Sequence, residues 1–210
     1  TGSVINGNNT HVINDGPVTV SAGGTGARVN GDGAVVDNIG DTTATGAGSA
    51  ALSIDGDNVM VISEGEMNIA DGATGAIIDG DNSRIVNTGA SSVDGAGSIG
   101  TLINGNNATL TQNGDMLVTG GAYGVLSYGE NSRITNKGKT TVRDADSIGF
   151  LIAGNKNIYS NKGDVDISLN GTGALIGGDN TQVTLDGNIT VHAEKDSNDV
   201  YRGATGINVT

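Results

Sequence analysis

Ile103-Asn104-Gly105-Asn106-Asn107-Ala108-Thr109-Leu110-Thr111-Gln112-Asn113-Gly114 follows Ile78-Asp79-Gly80-Asp81-Asn82-Ser83-Arg84-Ile85-Val86-Asn87-Thr88-Gly89 at a distance of 25 residues and in the same pattern. Its first glycine belongs to a series that spans the chain: Gly7, Gly31, Gly56, Gly80, Gly105, Gly129, Gly154 and Gly178, in steps alternating between 24 and 25. A second series keeps nine residues behind it: Gly16, Gly40, Gly65, Gly89, Gly114, Gly138, Gly163 and Gly187. Self-similarity at this period marks a quasi-one-dimensional repeat protein, in which long faces take the place of a pocket.

Columns follow when each residue is numbered from its anchor glycine. Position −2 reads Ile5, Val29, Ile54, Ile78, Ile103, Ser127, Ile152, Ile176, and position +5 reads Val12, Val36, Val61, Ile85, Leu110, Ile134, Tyr159, Val183. Position +13 is likewise aliphatic, from Val20 to Val191. Period-two alternation and β-branched residues around these columns predict three short strands per repeat, and glycine in every window of about ten residues disfavours helix. The fold class is therefore all-β: a three-sided parallel β-helix (β-solenoid) of about eight rungs of 24–25 residues. Right-handed coiling is expected from the usual hand of parallel crossovers.

Composition agrees. The 210 residues include 37 Gly, 1 Phe, no Trp and no Cys, with net charge −13. Too few bulky residues are present for a thick globular core, but a thin core extended along an axis needs none. The acidity argues against nucleic acid or an anionic membrane as partner. No apolar run approaches the roughly 20 residues that span a bilayer. The chain enters and leaves in mid-repeat, so residues 1–210 read as one segment cut from a longer solenoid.

Two asparagine columns are expected at the corners. Position +2 holds Asn9, Asn58, Asn82, Asn107, Asn131 and Asn180; position +7 holds Asn14, Asn38, Asn87, Asn136 and Asn161. Stacked amides can hydrogen-bond along the axis. Asn also tolerates the left-handed conformation such corners demand, and the Gly two residues later tolerates it better. The one-residue length alternation falls between +9 and −5, and the last repeat carries its extra residues there, as a projecting corner loop near 192–203.

Catalytic chemistry finds little support, and the chain reads as a non-enzyme without cofactor. His11 and His192 lie at opposite ends, there is no cysteine, and no nucleophile setting is apparent. Asp55 and Asp57, with Asp79 and Asp81, place four carboxylates on two adjacent rungs, a set that calcium or a glycosidase mechanism could use. Their recurrence with the repeat favours a solvated corner.

Two features depart from the repeat background. Position −3, expected to point outward, turns from Arg28 and Ser53 into Ile77, Leu102, Leu126, Leu151 and Leu175, a candidate contact stripe. The alternative is a bend that turns −3 inward. Basic residues concentrate in repeats six and seven (Arg133, Lys137, Lys139, Arg143, Lys156, Lys162), whereas Asp15 and Glu64 occupy the column of Lys137 and Lys162 nearer the start. One face acidic at one end and basic toward the other is a candidate for salt-sensitive antiparallel pairing with a copy of the chain.

The two stretches quoted at the outset resemble the passenger domains of type V bacterial autotransporters, most closely the AIDA-type adhesins of Gram-negative enterobacteria. The resemblance covers essentially the whole chain. It implies export through the outer membrane by a C-terminal β-barrel that this segment lacks, display at the cell surface, and a role in adhesion, autoaggregation or biofilm formation, with a copy on a neighbouring cell or a host matrix protein or glycan as partner. No binding residue of the family transfers by motif. A glycan-binding or glycan-cleaving β-helix and a purely structural stalk are the other readings.

Overall fold

The computed structural model describes residues 2–196, 198 and 200–210. Each repeat makes one coil with three strands, and like strands stack in parallel into three sheets. Sheet A contains the strands Ser3–Ile5, Thr25–Val29, Ala50–Ile54, Thr74–Ile78, Ile99–Ile103, Tyr123–Ser127, Ile148–Ile152, Thr172–Ile176 and Thr205–Val209. Sheet B runs from His11–Asn14 to Gln182–Leu185, and sheet C from Val18–Val20 to Ile189–Val191, with eight strands each. Every strand pairs with its own column in the next coil, as in Ile78↔Ile103, Ile85↔Leu110 and Val93↔Val118. The molecule is a β-solenoid of about eight coils, spaced about 4.8 Å apart.

The core is a single aliphatic column between the three sheets. Ile54, Ile78, Ile103, Ile152 and Ile176 are fully buried at −2, as are Leu110, Ile134 and Tyr159 at +5 and Val93, Val118 and Ile167 at +13. Phe150 and Tyr159 fill it in the seventh coil, with ring centroids 5.2 Å apart. Toward the first coils the core is hollow: a cavity of about 190 Å³ lies among Val36, Asn38, Leu52, Ser63, Met67 and Ala76.

The corners correct one sequence expectation. Asn9, Asn58, Asn82, Asn107, Asn131 and Asn180 do take positive φ, between 54° and 58°. The two anchor glycine series, however, avoid that region except at Gly178. Stacking is what requires them: a Cβ on Gly114 would fall well inside van der Waals distance of the Gly89 carbonyl oxygen directly below. The +2 amides also form less of a ladder than expected, with one bond along it among the described residues, Asn131 Nδ2 to Asn107 Oδ1 at 2.6 Å.

The +7 column is an internal amide ladder with gaps. Asn14 donates to Asn38 (2.8 Å), Asn87 to Gln112 (3.0 Å) and Asn136 to Asn161 (2.8 Å). Ser63 is too short to continue it, and Asn87 Oδ1 above is buried without a donor. Ser63→Asn supplies that donor beside existing space, so thermal melting should move upward, by about 1 kcal/mol of stability. An unchanged or lower melting temperature counts against the ladder as a source of stability.

The length alternation also has a structural cause. Between sheets C and A, short and long corners alternate. The serine ending each long corner accepts a hydrogen bond from a glycine N–H of the short corner below: Gly23 to Ser49 (3.0 Å), Gly72 to Ser98 (3.0 Å) and Gly121 to Ser147 (2.9 Å). At this edge the structural unit is thus two coils.

The next serine in this spacing would fall within the insertion. There Glu194–Lys195 and Tyr201–Arg202 form a small antiparallel hairpin, the only antiparallel pairing among the described residues. Asp196 closes it by accepting from Arg202 Nε (2.8 Å) and from the N–H groups of Asn198 and Val200. The Arg202 hydrogen bond, foremost, holds the Asp196 carboxyl below its usual range. Residues 197 and 199 of the expected loop lie outside the described residues.

Candidate interaction surfaces

The corner carboxylates have work within the fold. At +1, three aspartates accept the backbone N–H one coil above, Asp32 from Asp57 (3.0 Å), Asp57 from Asp81 (2.8 Å) and Asp81 from Asn106 (2.7 Å), while Glu130 accepts from Asn155 Nδ2 (3.1 Å). Asp79 accepts from Asn104 Nδ2 at 2.7 Å, and Asp55 takes Arg28 Nε at 2.8 Å. These contacts spread the acids along a ladder. Among the described residues, no three His, Cys, Asp or Glu come together as a metal site. The +1 ladder is legible in the sequence only as an Asn/Asp/Glu column; which backbone groups it serves depends on the stacking.

The basic residues do not form one face. Lys137 and Lys162 stack at +8, on the corner between sheets B and C, in the column where Asp15 and Glu64 lie nearer the start. Neither lysine has an ion pair within the described residues. Lys139 and Arg143 belong to sheet C and its flank, where Lys139 meets Asp166 at 3.8 Å and Arg143 meets Glu194 at 3.3 Å. His192 also contacts Asp166, at 2.9 Å. Arg133 starts a strand of sheet B, and Lys156 sits at the corner between sheets A and B with φ 58°. The expected single gradient therefore reduces to the +8 corner, because each coil turns its columns to different sides.

The aliphatic stripe is continuous and lies on the outside of sheet A. Ile77, Leu102, Leu126, Leu151 and Leu175 are in register from coil to coil. Their −2 neighbours are all fully buried, including Ser127 where the other coils have isoleucine, while the stripe itself is half-buried apart from the more covered Leu126. The bend that would have turned −3 inward is absent.

A second outer column was missed in the sequence. Glycine at −5 falls out of the pairing register: a Cβ on Gly75 would lie 3.2 Å from Ile69 Cδ1, and one on Gly100 3.1 Å from Val93 Cγ2, both in the core. With −5 and −4 both facing inward, the alternation shifts by one and −6 comes to the outer side. This column reads Thr74, Ile99, Tyr123, Ile148, Thr172, all half-buried. The repeated glycine at −5 was the available signal. Stripe and column together make an apolar strip five coils long, with the exposed Tyr128 near its middle.

Comparison of the chain with protein-family models, with curated proteins and with solved structures found no match.

Proposed function

We propose that this chain is a segment of a bacterial cell-surface adhesin that acts by lateral contact along its solenoid, with a second copy on a neighbouring cell as the principal partner. The resemblance of its coils to autotransporter passengers supports display at the surface. The observation that carries the reading is the symmetry of the strip on sheet A. About the coil of Tyr123 and Leu126, one column reads Thr-Ile-Tyr-Ile-Thr and the other Ile-Leu-Leu-Leu-Leu. A copy with its rod axis reversed and its strands running the same way lays Ile99 on Ile148, Leu102 on Leu151 and Tyr123 on Tyr123, an isologous contact.

Five coils of five-residue strands give a patch of roughly 24 by 16 Å, or about 800 Å² over two copies, below the ~1,200 Å² of stable complexes. Each contact is therefore weak, and many copies on a surface act together. The unpaired Lys137 and Lys162 add a salt-sensitive contribution at a separate corner, each pair worth under about 1 kcal/mol.

Sedimentation velocity up to millimolar concentration tests this. The parent chain should associate reversibly. Leu102→Lys with Leu151→Lys, which brings like charges face to face, should leave monomer with an unchanged circular dichroism spectrum. Lys137→Glu with Lys162→Glu should weaken association mainly at low salt. A parent that stays monomeric at every concentration and salt removes self-association and leaves host matrix as the partner.

A further inference from the structure

On the outer face of sheet C, a groove of about 360 Å³ runs along the rod axis over coils three to six. It exists because the +10 column changes size: Glu66, then Ala90, then Asp115, then Lys139. Three aspartates of this column accept the N–H one coil above: Asp41 that of Glu66 (2.9 Å), Asp115 that of Lys139 (2.8 Å) and Asp164 that of Asn188 (3.1 Å). Ala90 offers no acceptor. The Asp115 N–H one coil above it therefore has no partner within the described residues; the Ala90 N–H has none either, because the Glu66 carboxylate one coil below does not take it, and both residues line the groove.

The rest of the lining has complementary chemistry. Glu66 and Asp115 are carboxylate acceptors, Asn68 brings an amide, Thr141 a hydroxyl, and Leu117 stands 40% exposed as an apolar surface. Unused N–H donors call for a carbonyl acceptor, the carboxylates for hydroxyl donors, and the exposed leucine for a methyl group or the face of a ring. Lys139 also lines the groove but is paired with Asp166 at 3.8 Å, so the two carboxylates set a net negative lining that disfavours anions. The groove spans three coil spacings, about 14 Å, and a hexopyranose unit is close to one spacing in length.

We propose that this groove is a binding site for a neutral glycan bearing an acetamido group. The acetamido carbonyl accepts from the Ala90 and Asp115 N–H groups, its methyl packs on Leu117, and ring hydroxyls donate to Glu66 and Asp115. This site stands apart from the strip on sheet A and from the self-association reading.

The test is titration of the ¹⁵N-labelled protein with chitotriose, followed by amide NMR, with cellotriose as the control without acetamido groups. Chitotriose should shift the Ala90 and Asp115 amides, and cellotriose should bind at least tenfold more weakly. Ala90→Asn gives Asp115 N–H the acceptor found elsewhere in the column and fills the groove. It should reduce chitotriose affinity at least tenfold without lowering the melting temperature. Absence of shifts in the parent, equal response to the two sugars, or undiminished binding by Ala90→Asn overturns the proposal. An N-acetylated tripeptide amide that moves the same amides as strongly as chitotriose also overturns it, by assigning the groove to peptide.

Discussion

Gly114→Ala should destabilise the solenoid by about 3 kcal/mol or more, although it adds one methyl group. The residue has an ordinary negative φ, so backbone conformation is no obstacle to alanine. The obstacle is the Gly89 carbonyl oxygen one coil below, with the Thr88 oxygen only 2.7 Å from the added Cβ. Neither atom can swing aside, because both belong to the backbone of a stacked corner. Relief requires the two coils to part, and in a linear array that loss falls on the nearest-neighbour interface. Gly16→Ala is the control from the same column, since nothing lies within 4 Å of its Cβ. Denaturation should show a large loss for Gly114→Ala and little change for Gly16→Ala. Equal effects would mean that the column is selected for chain flexibility, with stacking secondary.

Tyr159→Ala should cost about 3–5 kcal/mol, as for other large aromatic deletions in cores. Tyr159 is the only aromatic in a column otherwise made of Val, Ile and Leu, and it is fully buried. Its ring meets Phe150 at an interplanar angle of 47°. Val125 and Ala174 flank Phe150 in its column, so neither neighbour can replace the missing ring volume. Burial raises the Tyr159 pKa above its ordinary value, so the phenol stays neutral at physiological pH. Tyr159→Phe keeps the packing and should lose under about 1.5 kcal/mol. Thermal melts of the two variants separate ring from hydroxyl; similar losses would place the stabilisation in the hydroxyl and overturn the packing account.

Much of the architecture was legible because a solenoid writes its geometry into the spacing of its residues. A glycine every 24–25 residues and β-branched columns at −2, +5 and +13 named three strands per coil, and the sheets are built from those strands. The stripe from Ile77 to Leu175 was visible as a departure from the repeat. Its companion column Thr74, Ile99, Tyr123, Ile148, Thr172 was not, because strict alternation gave no hint that glycine at −5 shifts the inside–outside phase. The basic cluster was misjudged for a related reason: Lys137 and Lys139 are two residues apart, yet a tight corner separates them.

By itself the sequence determined which residues share a column, since a coil of fixed length must return like to like. Distances between columns lay beyond it. That glycine serves close stacking, that Asp57 and Asp81 serve backbone N–H groups above, and that Ala90 leaves the Asp115 N–H above it bare are consequences of coils lying about 4.8 Å apart. At that spacing an atom's fate depends on the coil above or below, some 25 residues away along the chain, and only the tertiary structure brings the two together.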